Sequence, residues 1–316
     1  MKKEDIRIVF MGTPEFAVSI LKKLVEDNYN IVGVITAPDK KAGRGRKINE
    51  SPVKKYAIEN KLNLLQPTNL KSENFVTSLK ALEANLQIVV AFRMLPKVVW
   101  KMPEYGTFNL HASLLPSYRG AAPIHWAIIN GEEKTGVTTF FIDEKIDTGH
   151  IILQKEIAIH KDEIVGELHD RLMNLGASLV SETVEKIKNN DVTSQKQREI
   201  EEKIAPKLFP ENCKINWNNS INCIYNHIRG LNPFPTAWSE MNNKGSITSL
   251  KIYKVRKEII AHREQIKTII TTKKDIKVAV KGGYIYIEEL KLSGKKKMDS
   301  KSLLNGFHFY SNAKML

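Results

Sequence analysis

Short apolar runs alternate with amphipathic segments through the first 188 residues of the chain. Runs such as IRIVFM are typical of strands that are buried on both faces of a sheet. They predict strands at residues 6–11, 31–36, 86–92, 106–111 and 137–142. Helical spacing of apolar residues predicts helices near residues 14–27, 53–60, 73–84, 96–101, 122–130 and 163–188. Because helices separate successive strands, we predict a doubly wound, mostly parallel α/β sheet.

The pattern changes after residue 188. Residues 189–208 are polar and charged without a clear apolar period, which is typical of a linker. A short helix at 220–229 is followed by predicted strands at 236–241, 247–255, 266–271, 276–280 and 284–292. Short strands at this spacing favour a small β-barrel, OB-like in kind, or a sandwich. We therefore predict a first domain over 1–189, a linker over 190–208 and a β-barrel domain over 209–316.

The turn after the first strand reads Gly12-Thr13-Pro14. Thr13 is the predicted N-cap of the following helix, and Pro14 suits its first helical position. The second and third glycines of G-x-G-x-x-G are missing, and no Walker A loop occurs, which argues against a dinucleotide enzyme. We interpret Gly12 as a tight turn rather than as a ligand contact.

Composition excludes several classes of protein. An apolar fraction of 42% over 316 residues allows a sizeable core, which argues against general disorder. No apolar run approaches the length of a membrane span, and MKKEDIRIVF does not resemble a secretory signal. The cysteine content, Cys213 and Cys223, favours neither a disulfide framework nor a Cys-based zinc site. We therefore expect a cytoplasmic protein.

Positive charge is concentrated near the C-terminus. The formal net charge is +14, and residues 251–316 hold 16 Lys and Arg against 6 Asp and Glu. Such a bias is typical of a polyanion-binding surface, although a solvated lysine surface is the simpler alternative. We expect Trp217, Trp238 and Phe234 in the core of the second domain rather than in base stacking.

The strongest candidate for chemistry is Asn109-Leu110-His111, at the end of a predicted strand. Residues two apart on a strand face the same side, and open α/β sheets bind ligands at the carboxyl ends of their strands. An amide can stabilise an oxyanion and an imidazole can exchange a proton, which suits acyl transfer.

Asp147 follows the next predicted strand and could reach the same place, where a carboxylate would orient the imidazole. The alternatives are a structural His111 and a turn role for Asp147 in Asp-Thr-Gly. A zinc site of His111, His125 and Asp147 is conceivable, but the sequence lacks H-E-x-x-H and cysteine pairs.

Longer motifs surround these residues, namely NLHASLLPSYRGAAPIHWAI, FIDEKIDTG, IRIVFMGTPEFA, APDKKAGRGRK, SPVKKYA and IRGLNPFPTAW. Together they resemble the folate-dependent formyltransferase family over nearly the whole chain. The resemblance implies a Rossmann-like formyltransferase domain followed by a β-barrel domain that binds tRNA. The AGRGRK loop and the tail ELKLSGKKKMDSKSLLNG are similar to those members that act on methionyl initiator tRNA.

That resemblance implies transfer of a formyl group from the co-substrate 10-formyltetrahydrofolate to the α-amino group of methionyl initiator tRNA, without a metal. It implies a monomeric enzyme of translation initiation. It assigns catalysis to Asn109, His111 and Asp147. The residues implied to bind the folate co-substrate are Ser113, Leu114, Leu115, Pro116, Phe92, Leu95 and Asp143. The chain reads Phe92-Arg93-Met94 before Leu95-Pro96, where the family commonly has a glycine, so this side of the pterin pocket need not follow the family.

The glycine-containing loop at residues 39–47 is basic. By itself such a loop is either a solvated loop or a phosphate-binding one. The resemblance favours contact with the tRNA acceptor end, with Arg44 matching the key arginine of the family. The implied tRNA-binding residues are Lys40, Lys41, Arg44, Arg46 and Lys47.

Three other functions compete with this interpretation. Another folate-dependent formyltransferase would act on an amino sugar nucleotide or a purine-pathway amine. A catalytically silent RNA-binding protein would have no need for the set of Asn109, His111 and Asp147. An NAD enzyme is disfavoured by the missing glycines.

Overall fold

The computed structural model describes residues 2–42, 47–198 and 203–316. The chain divides into two compact units. The first comprises Met1–Gly120, Gly136–Ile157 and His169–Ile204. The second comprises Ala121–Thr135, Ala158–Leu168 and Ala205–Leu316. The predicted domain boundaries at 189 and 208 stay a prediction.

Strands and helices alternate through the first two thirds of the chain. The strands described there are β1 (Arg7–Gly12), β2 (Asn30–Ile35), β3 (Lys40–Ala42), β4 (Lys47–Asn49), β5 (Leu64–Leu65), β6 (Leu86–Val90), β7 (Thr107–His111), β8 (Arg119–Gly120), β9 (Lys134–Phe141), β10 (Ile151–Ala158) and β11 (Ile204–Ala205). The helices are α1 (Glu15–Glu26), α2 (Pro52–Glu59), α3 (Glu73–Lys80), α4 (Lys97–Trp100), α5 (Pro123–Ile129) and α6 (Val165–Lys188).

A seven-stranded sheet has the order β10-β9-β7-β6-β1-β2-β5. The pairs β1–β2, β1–β6, β2–β5 and β6–β7 are parallel, and β7–β9 is antiparallel. The predicted doubly wound, mostly parallel sheet is therefore confirmed. All five predicted strands of this part are present, with ends that differ by up to three residues.

The turn between β1 and α1 corrects one local prediction. Pro14, not Thr13, occupies the N-cap position, in extended conformation, and α1 begins at Glu15. A Cβ on Gly12 would lie 2.5 Å from the Ala17 Cβ and 3.1 Å from the Val90 carbonyl oxygen. Glycine is therefore required here because helix α1 and strand β6 pack closely around it, whereas the tight turn stays a prediction.

Strand β10 was not predicted, although it extends over eight residues. It lies at the edge of the sheet, and from Leu153 to Ala158 its side chains are alternately half-buried and exposed. Polar residues such as Lys155 and Glu156 interrupt its apolar positions. An edge strand covered on one face lacks the continuous apolar run that marks the central strands.

The second unit contains an antiparallel barrel. Its further elements are β12 (Ala237–Asn243), β13 (Ser246–Ile259), β14 (Ile269–Thr271), β15 (Ile276–Val280), β16 (Gly283–Leu292), β17 (Met298–Asp299), β18 (Lys314–Met315), α7 (Ile221–Gly230) and α8 (Ser300–Leu304). The strand order is β14-β15-β16-β13-β12-β18. Ile269 N donates to Ala313 O (3.0 Å) and Met315 N donates to Lys267 O (2.9 Å), so hydrogen bonds link the two end strands. The predicted barrel is confirmed over the sandwich alternative.

The barrel core follows strand alternation with one interruption. Leu250, Ile252 and Val255 of β13 are buried, and register shifts lie between residues 252 and 255. Three residues of β13 (252 to 255) lie opposite three of β16 (290 to 287), so the register is the same on both sides of the irregularity, and the buried side changes from even to odd positions in both strands. Trp217 is fully buried, as predicted, and its Nε1 donates to Ser239 Oγ (2.8 Å). Phe234 is 77% exposed, so its predicted core position is wrong.

Among the helices that the structure describes, none is long and apolar enough to span a membrane.

Candidate active site

Asn109 and His111 end strand β7, on the same face of the sheet, while Leu110 between them is buried on the other. His111 is only 6% exposed. Asn109 is half-buried, and its Oδ1 is a buried atom without a hydrogen-bond partner among the described residues. A buried polar atom without a partner is unusual in a folded protein and is often found at a functional site. The amide therefore keeps hydrogen-bonding capacity for a ligand.

A main-chain carbonyl orients the His111 ring. The imidazole Nε2 lies 2.8 Å from Tyr118 O. Since a carbonyl oxygen can only accept, Nε2 carries a hydrogen and donates it. Nδ1 then faces the carboxylate of Asp147, with 3.8 Å between Nδ1 and Oδ2. Asp147 is thus near the ring that it was expected to orient, and the carbonyl oxygen of Tyr118 holds the opposite nitrogen.

Asp147 is held in place on both its side chain and its main chain. It follows β9 in a loop and has a positive φ of 55°, which is uncommon for a residue other than glycine. Gly120 N donates to its Oδ2 (2.9 Å). Arg119 Nε (3.1 Å) and Gln197 Nε2 (2.8 Å) donate to its carbonyl oxygen. The structure thus brings Asp147 to His111, although their catalytic roles stay a prediction.

Gln197 was missed by sequence reasoning. It lies in the polar stretch predicted as a linker, yet it is only 7% exposed. Its Oε1 accepts from Arg119 Nη2 (2.6 Å), and its Nε2 also donates to Gly149 O (2.8 Å). No sequence signal marks it, because two of its partners are main-chain carbonyls, which every residue has.

The loop of Ser113–Leu114–Leu115–Pro116 is braced from within the sheet. Ser113 is fully buried, and its Oγ donates to Ser117 O (2.6 Å). Thr138 Oγ1 donates to Ser113 O (2.7 Å) and accepts from Leu115 N (3.2 Å). Ser113 and Leu115 thus support the loop, whereas Leu114 and Pro116 are partly exposed. Their predicted contact with folate stays a prediction.

The other predicted folate residues lie on two loops. Phe92 is half-buried, and Leu95 is buried in an apolar cluster. Asp143 is exposed, and its Oδ1 accepts from Lys145 N (3.0 Å) and Thr148 Oγ1 (2.7 Å). Asp143 therefore shapes its own loop, and its contact with folate also stays a prediction.

Arg93 lies in the segment Phe92-Arg93-Met94, where the family commonly has a glycine. The guanidinium donates to Thr68 O (3.0 Å) and Pro67 O (2.7 Å). Burial lowers the pKa of Arg93 below its ordinary value. The side chain that stands near the expected glycine thus ties this loop to residues 67–68.

The basic loop is described only in part. Strands β3 and β4 form an antiparallel pair in which Ala42 is opposite Lys47. Lys40 is exposed. Lys54 Nζ contacts Asp39 Oδ2 (2.5 Å) before the pair and Glu50 Oε1 (2.7 Å) after it, so one lysine links both ends of the hairpin. The predicted Arg44 and Arg46 lie outside the described residues.

A metal centre finds no support within residues 2–42, 47–198 and 203–316, where no group of three or more His, Cys, Asp or Glu side chains could hold an ion. His125, considered above as a zinc ligand, instead has its Nε2 3.2 Å from the main-chain oxygen of Phe234.

Both parts of the chain match family models. The formyl transferase model matches residues 6–184, and the formyl transferase C-terminal domain model matches residues 207–308. The methionyl-tRNA formyltransferase of Flavobacterium johnsoniae is 58% identical over 313 residues, which is 99% of each chain. That of Bacteroides thetaiotaomicron is 53% identical over 321 residues, which covers each chain completely.

Solved structures share the fold at low identity. The N-formyltransferase from Helicobacter canadensis, in complex with folinic acid and dTDP-3-aminofucose, aligns with a TM-score of 0.65 and 21% identity, over 93% of this chain and 100% of that one. HypX from Aquifex aeolicus, in complex with tetrahydrofolic acid, aligns with a TM-score of 0.63 and 16% identity, over 94% of this chain and 46% of that one. At these identities the similarity shows the fold.

Proposed function

Since the chain belongs to the formyl transferase family, we propose that it transfers the formyl group of 10-formyltetrahydrofolate to the α-amino group of methionyl initiator tRNA. The observation that carries this assignment is full-length similarity, at 49–58% identity, to proteins named methionyl-tRNA formyltransferase. The structural relatives that act on sugars are 21% identical or less, so they support the fold and not a sugar substrate.

Asn109 supplies the amide that formyl transfer needs. Attack of the amine on the formyl carbon turns the carbonyl oxygen into an oxyanion, which a placed N–H donor stabilises. One such donor is typically worth about 10²–10³ in rate. The Nδ2 group of Asn109 is that donor. Its Oδ1 is buried and has no hydrogen-bond partner among the described residues, which fits a bound ligand that donates a hydrogen bond to it.

His111 moves the proton through Nδ1. Its Nε2 is occupied by Tyr118 O, so the nitrogen that faces Asp147 is the one free to exchange a proton. The attacking amine nitrogen loses one proton, and the folate nitrogen gains one as its bond to the formyl carbon breaks. Nδ1 can take the first proton and return it for the second, while Asp147 stabilises the imidazolium between the two steps.

Folate and tRNA use different parts of the chain. We assign the folate co-substrate to the loops around residues 113–116 and 92–95, with Asp143, for which the partly exposed Leu114 and Pro116 give support. We assign tRNA to the basic hairpin with Lys40, Lys41, Arg44, Arg46 and Lys47, and to the basic barrel domain. We further propose that the enzyme is a monomer of the cytoplasm, where charged initiator tRNA is used.

The experiment is a substrate panel. Purified protein is incubated with 10-formyltetrahydrofolate and, separately, methionyl initiator tRNA, uncharged initiator tRNA or an amino sugar nucleotide. We expect formyl-methionine with charged initiator tRNA and no product with the other two. Efficient formylation of the amino sugar would instead support the competing formyltransferase function.

A further inference from the structure

Gln197 connects three groups that surround the predicted catalytic carboxylate. Its Nε2 donates to the carbonyl oxygens of Asp147 and Gly149, both at 2.8 Å. Its Oε1 accepts from Arg119 Nη2 at 2.6 Å and from Nε at 3.2 Å. One buried amide thus makes four hydrogen bonds, none of them to Asn109 or His111.

The geometry of Asp147 needs such support. Its φ of 55° lies in the left-handed region, which costs free energy for any residue but glycine unless the surroundings hold it there. Its carbonyl oxygen accepts from both Gln197 and Arg119. Two residues later, a Cβ on Gly149 would lie 1.7 Å from Phe141 O, so the chain also passes close to the end of β9. The loop at residues 147–149 is therefore held in place both at Asp147 and at Gly149.

Position 197 requires a side chain that both donates to two carbonyl oxygens and accepts from a guanidinium, and an amide does both. Its NH₂ group provides two donors for two carbonyls, and its oxygen accepts from a guanidinium. A glutamate would keep the acceptor but place an oxygen against the two carbonyls. A methionine of similar length would keep neither.

We propose that Gln197 is a positioning residue of the transfer reaction, which acts through Asp147 by holding the main chain of residues 147–149 so that the carboxylate faces His111. This rests on the proposed function of the site. The segment 195–198, which contains Gln197, is thereby part of the active site rather than a passive connection. It is also fixed by the backbone hydrogen bonds between Gln195 and Ile151, both 2.8 Å.

The test compares Gln197→Met and Gln197→Glu with a matched control, Gln87→Met. Gln87 is also buried, with 1% of its surface exposed, but it accepts a hydrogen bond from Thr107 at the start of β7, away from His111. We expect both variants at 197 to lower kcat about 10- to 100-fold, since small displacements of a catalytic group have effects of this size. KM values for tRNA and folate should stay within about threefold, and Gln87→Met should keep the wild-type kcat.

A double variant separates positioning from a merely structural role. If Gln197 acts through Asp147, adding Gln197→Met to Asp147→Asn should lower kcat by less than about threefold further. Losses that multiply would overturn the proposal, and so would a wild-type kcat in Gln197→Met.

Hydrogen exchange keeps this test independent of the reaction. Amides of residues 143–150 should exchange faster in Gln197→Met than in the wild type, and not in Gln87→Met. Unchanged exchange would contradict the positioning role. A wild-type protein that does not formylate methionyl initiator tRNA would instead contradict the proposed function, while the exchange result would still test the positioning.

Discussion

Different kinds of side chains are buried at the rim of the main sheet, meaning the end of β7 and the loops that hold Ser113, Asp147 and Gln197, and in the interior of the barrel. At the rim, His111, Ser113 and Gln197 are buried polar side chains that hydrogen-bond main-chain oxygens. In the barrel, apolar side chains such as Ile252 and Ile285 are buried by strand alternation. Hydrogen bonds fix the orientation of a buried polar side chain, so a substitution there moves the groups bonded to it. An apolar core tolerates a change of side-chain shape better than a change of total volume. Changes at the rim should therefore affect rate, and changes in the barrel should affect stability.

The largest expected effect is at the rim. Asn109→Asp places a carboxylate beside a developing oxyanion and removes the amide donor, so we expect kcat to fall by at least about 10³-fold. The melting temperature and the affinity for tRNA should stay near wild type. Wild-type turnover in this variant would reject the role of Asn109, and Asn109→Ala separates loss of the donor from added charge.

The matching change in the barrel is Trp217→Ala. Removing a fully buried indole should lower the free energy of unfolding by about 3–5 kcal/mol, measured by chemical denaturation. At saturating substrates the folded variant should keep kcat within about threefold. A large loss of kcat without a loss of stability would contradict the expectation that changes in the barrel affect stability rather than rate. Trp217→Phe, which keeps the ring but not the hydrogen bond to Ser239, is the control.

The basic hairpin should show a third behaviour, namely an effect on binding. Arg44→Ala should raise KM for tRNA about tenfold and reduce the slope of log affinity against log salt by about one. KM for folate and kcat should be unchanged. Lys22→Ala, at an exposed lysine of α1, is the control for loss of charge. If folate affinity alone changed, the tRNA assignment of the loop would be wrong.

The smallest expected effect concerns pH and the barrel unit. Burial lowers the pKa of His227 below its ordinary value of 6.5, and its Nε2 has no partner among the described residues. As pH falls below 6.5, the unfolded chain therefore binds more proton at this histidine than the folded chain does, so stability that is present above pH 6.5 is lost as pH falls. His227→Leu should reduce the loss of stability between pH 7.5 and 5.5, measured by denaturation. An identical pH dependence in wild type and variant would contradict this.

How far the sequence predicts structure also differs between the two regions. The sequence pattern predicts the barrel strands and the shared face of Asn109 and His111, because both follow from the two-residue period of side chains along a strand. The edge strand β10 was missed, since its exposed face removes the apolar run. Thr13 was misplaced as the N-cap because Pro14 stays extended.

The remaining site contacts could not be predicted for a common physical reason. Tyr118 orients His111 with its carbonyl oxygen, and Gln197 binds the carbonyl oxygens of Asp147 and Gly149. Main-chain oxygens are the same in every residue, so no side-chain motif records these contacts. They depend on where the loops run in three dimensions.

The most direct test of the account is a single-turnover transfer with 10-formyltetrahydrofolate labelled in the formyl group and methionyl initiator tRNA in the presence of excess enzyme. We expect the label in formyl-methionine with the wild-type protein. With His111→Ala we expect transfer at least about 100-fold slower, with both substrates still bound. Equal rates for the two proteins, or no labelled methionine from the wild type, would contradict the claim that formyl transfer occurs at the end of β7.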